Sequence, residues 1–277
     1  MKSLDMRWTR QNLVVGLMGC ATLCGACGET VDATGVLVRK VDVARQRLGP
    51  APSDISGREF VGTIVFQRFK RADVAGDEAE ETLVEIPGGK GIAIRDAGGV
   101  VDEILTDEYL TDFDTISIAG LPKRQLVLYT YPNSTRGGTF RVVTLDGREV
   151  ARWTEKPPPG RLAVAVWKGV DTIFYIQNDE LVLRSSNGSE LSRFPLPLGN
   201  KFRSLHIAQS AGDRLIILAS GNGYTPYHMV CVYSGGGELL FQEIESEHGF
   251  QLDADAGQTD FVVVTRSTRW RYAPIVG

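Results

Sequence analysis

Four stretches of this chain repeat one another, and that repeat limits the folds open to it more than any other feature. They read Ile92-Ala-Ile-Arg-Asp-Ala-Gly98-Gly-Val-Val101, Arg141-Val-Val-Thr-Leu-Asp-Gly147-Arg-Glu-Val150, Val182-Leu-Arg-Ser-Ser-Asn-Gly188-Ser-Glu-Leu191 and Val230-Cys-Val-Tyr-Ser-Gly-Gly236-Gly-Glu-Leu239. Each is a strand, a glycine turn and a second strand, with an aliphatic residue three positions after the glycine. The third copy has its aliphatics one residue out of phase before the turn. The turn glycines lie 49, 41 and 48 residues apart. A fixed period of this length marks supersecondary units that bury a core only by stacking on their neighbours.

The turns and the runs between them specify strands. Asp146-Gly147 and Asn187-Gly188 are dipeptides that supply the positive φ angles of a two-residue hairpin. Leu126–Tyr131, Ile173–Ile176, Leu215–Ala219 and Phe261–Thr265 are apolar without alternation, as strands buried on both faces are. A further strand precedes each of the first three, at Thr115–Ile118, Leu162–Trp167 and Ser204–Ala208. Four strands per period is the signature of a β-propeller. From Cys27 to Gly277 there are 251 residues, enough for five units at the mean interval of 46 but not for six. The last unit shows only two strands before the chain ends. Val36–Leu48, with valines at 36, 38, 41 and 43, is expected to supply what is missing and close the ring, which removes an open sheet edge. A β-sandwich with irregular loops is the competing architecture, and four evenly spaced copies count against it.

The repeat, with Asp/Asn-Gly-x-Glu-aliphatic followed by an aromatic (Trp153, Phe194, Phe241), is similar to bacterial propeller lipoproteins with NHL-like or quinoprotein-like blades. The resemblance spans about residues 90–245 and implies an all-β chain, a single β-propeller of about five four-stranded blades. A Gly-His…Trp-Asp pair and a repeated tryptophan-docking motif are both missing, so neither a WD40 assignment nor a quinone cofactor is carried over. No cofactor is expected.

Lys2, Arg7 and Arg10 precede an uncharged apolar stretch from Leu13 to Ala26, and polar Glu29, Asp32 and Thr34 follow. This is the layout of a secretory signal, too short for a spanning helix of ~20 residues. It resembles the bacterial lipoprotein class, in which a cysteine after small residues receives lipid. Gly25-Ala26-Cys27 ends a full-length apolar region, so lipidation is assigned to Cys27. Cys20, after Leu17-Met18-Gly19, is the alternative. The organisation expected is a signal peptide over 1–26, a short tether over 27–35 and a propeller over 36–277. The chain is then exported and lipid-anchored, periplasmic or surface facing, with the bilayer as a partner. Cleavage before Cys27 leaves Cys231 as the one other cysteine, which excludes a disulfide framework.

Chemistry is harder to find. A net charge of −4 argues against nucleic acid as a partner. Asp253-Ala-Asp255-Ala-Gly257 lacks the ligands that would complete a calcium loop. His206, His228 and His248 have no metal-ligand spacing, so no metal is assigned. The carboxylate pairs Asp102-Glu103, Asp107-Glu108 and Asp112/Asp114 would serve a glycosidase only if held ~5–10 Å apart across a pocket; a solvated face is the reading adopted for them. Arg71–Glu81 is read as a solvated loop. Ser220–Tyr227 is a glycine-rich loop whose Tyr224 and Tyr227 are candidate ligand contacts, because exposed loop aromatics favour recognition. The function expected is a tethered binding module for a protein or small ligand, more readily than an enzyme. The alternative is an extracytoplasmic sugar-active hydrolase using carboxylates at the channel mouth.

Overall fold

The computed structural model describes residues 29–31, 37–39, 43–50, 69–131, 137–156, 161–196, 204–210, 213–221, 227–247, 249–254, 259–265 and 267–274. Among them are strands and turns and no helix. A short ribbon pairs β1 (Glu29–Val31) with β2 (Leu37–Arg39), and β3 is Val43–Pro50. Five four-stranded antiparallel sheets make up the rest. The first holds β4 (Phe69–Ala72), β5 (Glu81–Glu85), β6 (Gly91–Asp96) and β7 (Gly99–Leu105). The second holds β8 (Tyr109–Ile116), β9 (Gln125–Tyr131), β10 (Gly138–Val143) and β11 (Glu149–Glu155). In the third are β12 (Leu162–Trp167), β13 (Val170–Gln177), β14 (Glu180–Arg184) and β15 (Glu190–Pro195). The fourth comprises β16 (Ser204–Ser210), β17 (Arg214–Ser220), β18 (His228–Tyr233) and β19 (Leu239–Glu245). The fifth takes β20 (Gly249–Ala254), β21 (Phe261–Thr265) and β22 (Thr268–Pro274) and is completed by β3 from the other end of the chain.

Each expected central strand therefore exists, and the reason for its unbroken apolar run is visible. Leu215, Ile217 and Ala219 pack toward the third sheet, whereas Ile216 and Leu218 pack toward the fifth. Alternate side chains of one strand point to opposite faces, so a strand sandwiched between two sheets must be apolar at every position. The described core is laminated in this way, one apolar cluster between each sheet and the next from first to fifth. First strands lie side by side, β8 beside β12, β12 beside β16 and β16 beside β20. Consecutive stacking of four-stranded meanders through their first strands is the arrangement of propeller blades.

The strand that completes the fifth sheet is Val43–Pro50, which overlaps the expected 36–48 only at 43–48. Residues 37–39 pair with 29–31 instead. Tyr272 sits opposite Arg45 and Trp270 opposite Arg47, and the Arg45 guanidinium lies 3.6 Å from the Trp270 ring centre. Arg45 also pairs with Glu243, at 3.2 Å, and with Glu245 on the outer strand of the fourth sheet. The borrowed strand is thus held both by its own sheet and by the preceding one.

The hairpin turns differ in type from the two-residue expectation. Thr144 N donates to Arg148 O and Gly147 N to Thr144 O, both at 2.9 Å, so the loop is the three residues Leu145-Asp146-Gly147. Of these only Gly147 has positive φ, at +80°. Ser185–Ser189 and Ser234–Glu238 repeat the pattern, with Gly188 at +84° and Gly237 at +88°. A type I turn followed by one left-handed residue makes a bulge, and the register shifts beside each turn accordingly. In the fourth copy the left-handed residue is Gly237, one beyond the Gly236 on which the repeat aligns.

Two of the three aromatics that follow the turns, Trp153 and Phe194, also find their reason. Trp153 and Phe194, on outer strands of the second and third sheets, lie against the turn glycines of the next sheet. A Cβ placed on Gly188 would meet a Trp153 ring carbon at 2.7 Å, and one on Gly237 would meet Phe194 Cδ1 at 2.7 Å. Glycine and aromatic, some 40 residues apart, form one inter-sheet contact.

Candidate functional site

Asp112 and Asp114, two apart on β8, are not on a solvated face. Asp112 is buried, and its Oδ2 accepts Leu162 N at 3.2 Å; Asp114 Oδ2 accepts Val164 N at 2.8 Å. Their other oxygens accept Phe113 N and Thr115 N, and Lys70 pairs with Asp114 while Arg161 approaches Asp112 at 3.9 Å. First strands are sheet edges, whose unpaired N–H groups need acceptors. These carboxylates supply them to β12, so the pair joins two sheets. Asp171 acts similarly at the same junction, accepting Ser117 N at 2.7 Å and Arg124 at 2.9 Å.

A second inter-sheet carboxylate, Glu155, is buried on β11. It receives Tyr175 Oη at 2.6 Å and Arg184 at 2.6 Å, and Arg184 also donates to Gly188 O at 2.6 Å. The Tyr175 phenol is pushed up by burial and then by the adjacent Glu155. Every member of this group has a partner within the fold, which marks it as a clamp between sheets.

The other expected site residues fall as follows. Cys27, Cys20 and Tyr224 lie outside the described residues, as do His248 and the centre of the Asp253–Asp260 loop. Tyr227 is half-buried against the cluster between the third and fourth sheets, and its carbonyl accepts Gly221 N at 2.8 Å. His206 is half-buried on the first strand β16. His228 is fully buried on β18, its Nδ1 facing Glu247 O. Cys231 is a buried free thiol, pushed up by burial. Among the described residues no group of three histidine, cysteine or carboxylate side chains converges well enough to hold a metal ion.

What the fold does create is a cleft of about 690 Å³ between the first and second sheets, at the end where the β6–β7 and β10–β11 turns emerge. Four connections build it. The β4–β5 loop contributes Val74, Ala75 and Asp77, with Glu81 at the start of β5. The β6–β7 hairpin contributes Asp96, Val101 and Asp102, the β8–β9 loop Leu121, Pro122 and Lys123, and the β10–β11 turn Thr144, Leu145 and Asp146. Gln125, at the start of β9, also lines it.

Local hydrogen bonding sets these walls. Asp73 accepts Gly76 N, Asp77 N and Glu78 N and folds the β4–β5 loop upon itself. Glu81, expected in a solvated loop, is buried and takes Val74 N at 2.8 Å and Ala75 N at 3.3 Å on Oε2. Asp96 Oδ1 accepts Gly98 N and Gly99 N, Asp77 Oδ1 accepts Ala79 N, and Asp102 Oδ1 accepts Glu103 N. The Thr144 hydroxyl donates to Asp146 and holds its carboxyl below the usual range. Each of the five carboxylates thus spends one oxygen on the fold, and none is ion-paired among the described residues. Among the described residues Lys123 is the one cation in the lining, and Arg148 acts on Asp146 from beside it. The sequence does signal part of this, in the acidic run from Asp73 to Glu81 and in a lone glutamine opening an apolar strand at Gln125. It does not signal that these segments meet.

No protein-family model matches the chain, and no curated protein is similar to it. Among solved structures, the crystal structure of BBS1N in complex with ARL6DN, soaked with lead, is similar at 11% identity and a TM-score of 0.54, over 79% of this chain and 69% of that one. The mercury-soaked form of the same complex gives 10% identity and a TM-score of 0.51, over 75% and 64%. Virginiamycin B lyase from Staphylococcus aureus gives 10% and 0.42, over 84% and 99%. At such identities the first two likenesses speak to fold, and with the five stacked sheets they make this chain a propeller-like all-β protein.

Proposed function

We propose that the protein is a non-catalytic interaction module, a closed five-bladed propeller exported and held at a membrane by an acylated Cys27, with the cleft between its first two sheets as the ligand face. The observation that carries the binding role is the cleft itself, a concave surface with an apolar body and polar groups not consumed by the fold. The alternative of a sugar-active hydrolase loses one of its three candidate pairs, because Asp112 and Asp114 are engaged by backbone donors and basic side chains. In the similar structure BBS1N is in complex with ARL6DN, which is consistent with a fold of this kind serving protein recognition. The borrowed strand β3 supports ring closure, and the charged start, apolar run and small residues before Cys27 support the tether.

Two measurements test this. Mass spectrometry of the mature N-terminus from a bacterial host is expected to find lipid on Cys27; an unmodified N-terminus beyond residue 27 defeats the tether, and lipid on Cys20 moves it. Methyl NMR of the full chain in detergent, titrated with cationic, anionic and neutral peptides, is expected to shift Val101, Leu121 and Leu145 with at least one class. Silence at all three residues across the panel defeats the cleft as a ligand face.

A further inference from the structure

We infer that the cleft between the first two sheets takes an alkylammonium group, such as the side chain of a lysine in a basic peptide or one end of a polyamine; this rests on the cleft being the ligand face. Two independent observations point to a cation. The first is charge: among the described lining residues Asp77, Glu81, Asp96, Asp102 and Asp146 face one cation, Lys123, with Arg148 acting on Asp146 from beside the lining, and no carboxylate among them is ion-paired.

The second is Gln125. Its side chain is 3% exposed, lines the cleft, and has an Oε1 that no group bonds. Its Nε2 donates to Lys123 O at 2.6 Å, and a carbonyl can only accept, so the amide orientation is fixed. The vacancy is therefore an acceptor. A buried acceptor without a donor costs free energy that a ligand donor recovers. Charge asks for a cation and the vacancy for a hydrogen-bond donor, and an ammonium group is both.

The shape of the site narrows the class. A bare metal ion needs several oxygens converging on one point, and the carboxylates here do not converge: among the described residues no group of three is close enough. They are spread around apolar walls formed by Val74, Ile94, Leu121, Pro122 and Leu145. Those walls suit a methylene stem and the dispersed rim suits a compact point charge at its tip, which is the anatomy of lysine. Lys123, exposed at the rim, is a resident competitor for the same carboxylates.

The experiment titrates the full chain in detergent with acetyl-trilysine-amide, its Nε-acetylated counterpart, spermidine and calcium chloride, reading the cleft methyl groups and calorimetric heat. Saturable binding of trilysine that the acetylated peptide lacks, and that weakens as salt rises from 20 to 500 mM, is expected for exposed charge pairs (~8 Å screening at ~0.15 M). Asp96→Asn with Asp102→Asn keeps the turn hydrogen bonds and should weaken binding by about 3–10-fold, whereas Lys123→Ala should strengthen it. Trilysine binding without spermidine binding assigns the group to a peptide; the reverse assigns it to a free polyamine. Equal binding of the acetylated peptide, indifference to D96N/D102N, or preference for calcium overturns the inference. If an anionic or neutral peptide shifts the cleft while trilysine does not, the chemistry inferred here is wrong and the ligand face survives. If nothing shifts it, the face itself is wrong.

Discussion

Replacing Gly147 and Gly237 by alanine separates two costs that these turn glycines carry. Both end a three-residue loop, at φ of +80° and +88°. An alanine at either must adopt the left-handed region, at about 1–2 kcal/mol, partly offset by the reduced freedom of the unfolded chain. The surroundings differ. Nothing lies within 4 Å of a Cβ on Gly147, whereas a Cβ on Gly237 meets Phe194 Cδ1 at 2.7 Å. Phe194 cannot swing aside: it is buried, stacked on Tyr233 at 5.5 Å and edge-on to Trp167 at 6.4 Å. Overpacking of this kind costs a further ~1–3 kcal/mol. Gly147→Ala should thus lose about 1 kcal/mol and Gly237→Ala about 2–4 kcal/mol. At ~2–4 °C per kcal/mol for a domain of this size, the second variant should melt several degrees below the first. The assay is thermal and urea denaturation of both variants, with Phe194→Leu in each background. Relief by Phe194→Leu only beside Gly237→Ala is the coupling expected of a direct contact. Equal losses for the two glycine variants would falsify the claim that the turn of one sheet rests on the aromatic of the last.

Two further outcomes follow from the closing strand and the buried histidine. Arg45→Ala removes the stack on Trp270 and the pairs to Glu243 and Glu245, for an expected loss of about 1–2 kcal/mol in urea unfolding. Arg45→Lys should fall between, since it keeps charge but loses the planar stack, and wild-type stability in that variant would remove the stacking contribution. Burial lowers the His228 imidazole below the ordinary imidazole range, against the opposing effect of its hydrogen bond to Glu247. The unfolded chain then binds this proton first, so stability is full above pH 6.5 and declines as pH falls below it, by up to about 1.4 kcal/mol per pH unit for one proton. His228→Gln should flatten the stability–pH curve below pH 6.5, and an unchanged slope would show that His228 titrates alike in both states.

The sequence carried the strands and the period, because these rest on short-range rules. An apolar run such as Leu215–Ala219 has few ways to be buried other than between two sheets, and Gly147 and Gly188 mark turns whatever surrounds them. The valine-rich segment expected to complete the last unit does so only in part, since of its four valines only Val43 lies in β3. What the sequence left open was register at the scale of single residues: which glycine turns left-handed in the fourth copy, whether a loop has two residues or three, and that 43–50 rather than 37–39 closes the fifth sheet. Hydrogen bonds at the bulges and side-chain packing across the seam decide these, and both depend on strands already in place.

Tertiary structure alone decided the roles of the polar groups. Asp112 and Asp114 look like any acidic pair until Leu162 N and Val164 N, 50 residues on, present themselves as unpaired edge donors. Glu81 looks solvated until its own loop folds Val74 and Ala75 onto it. The cleft exists only where four connections from two sheets come together, and Gln125 acquires its empty acceptor only there. Backbone conformation is a local property, legible from neighbouring residues; desolvation and charge are properties of a place in space, and stacking the sheets creates that place.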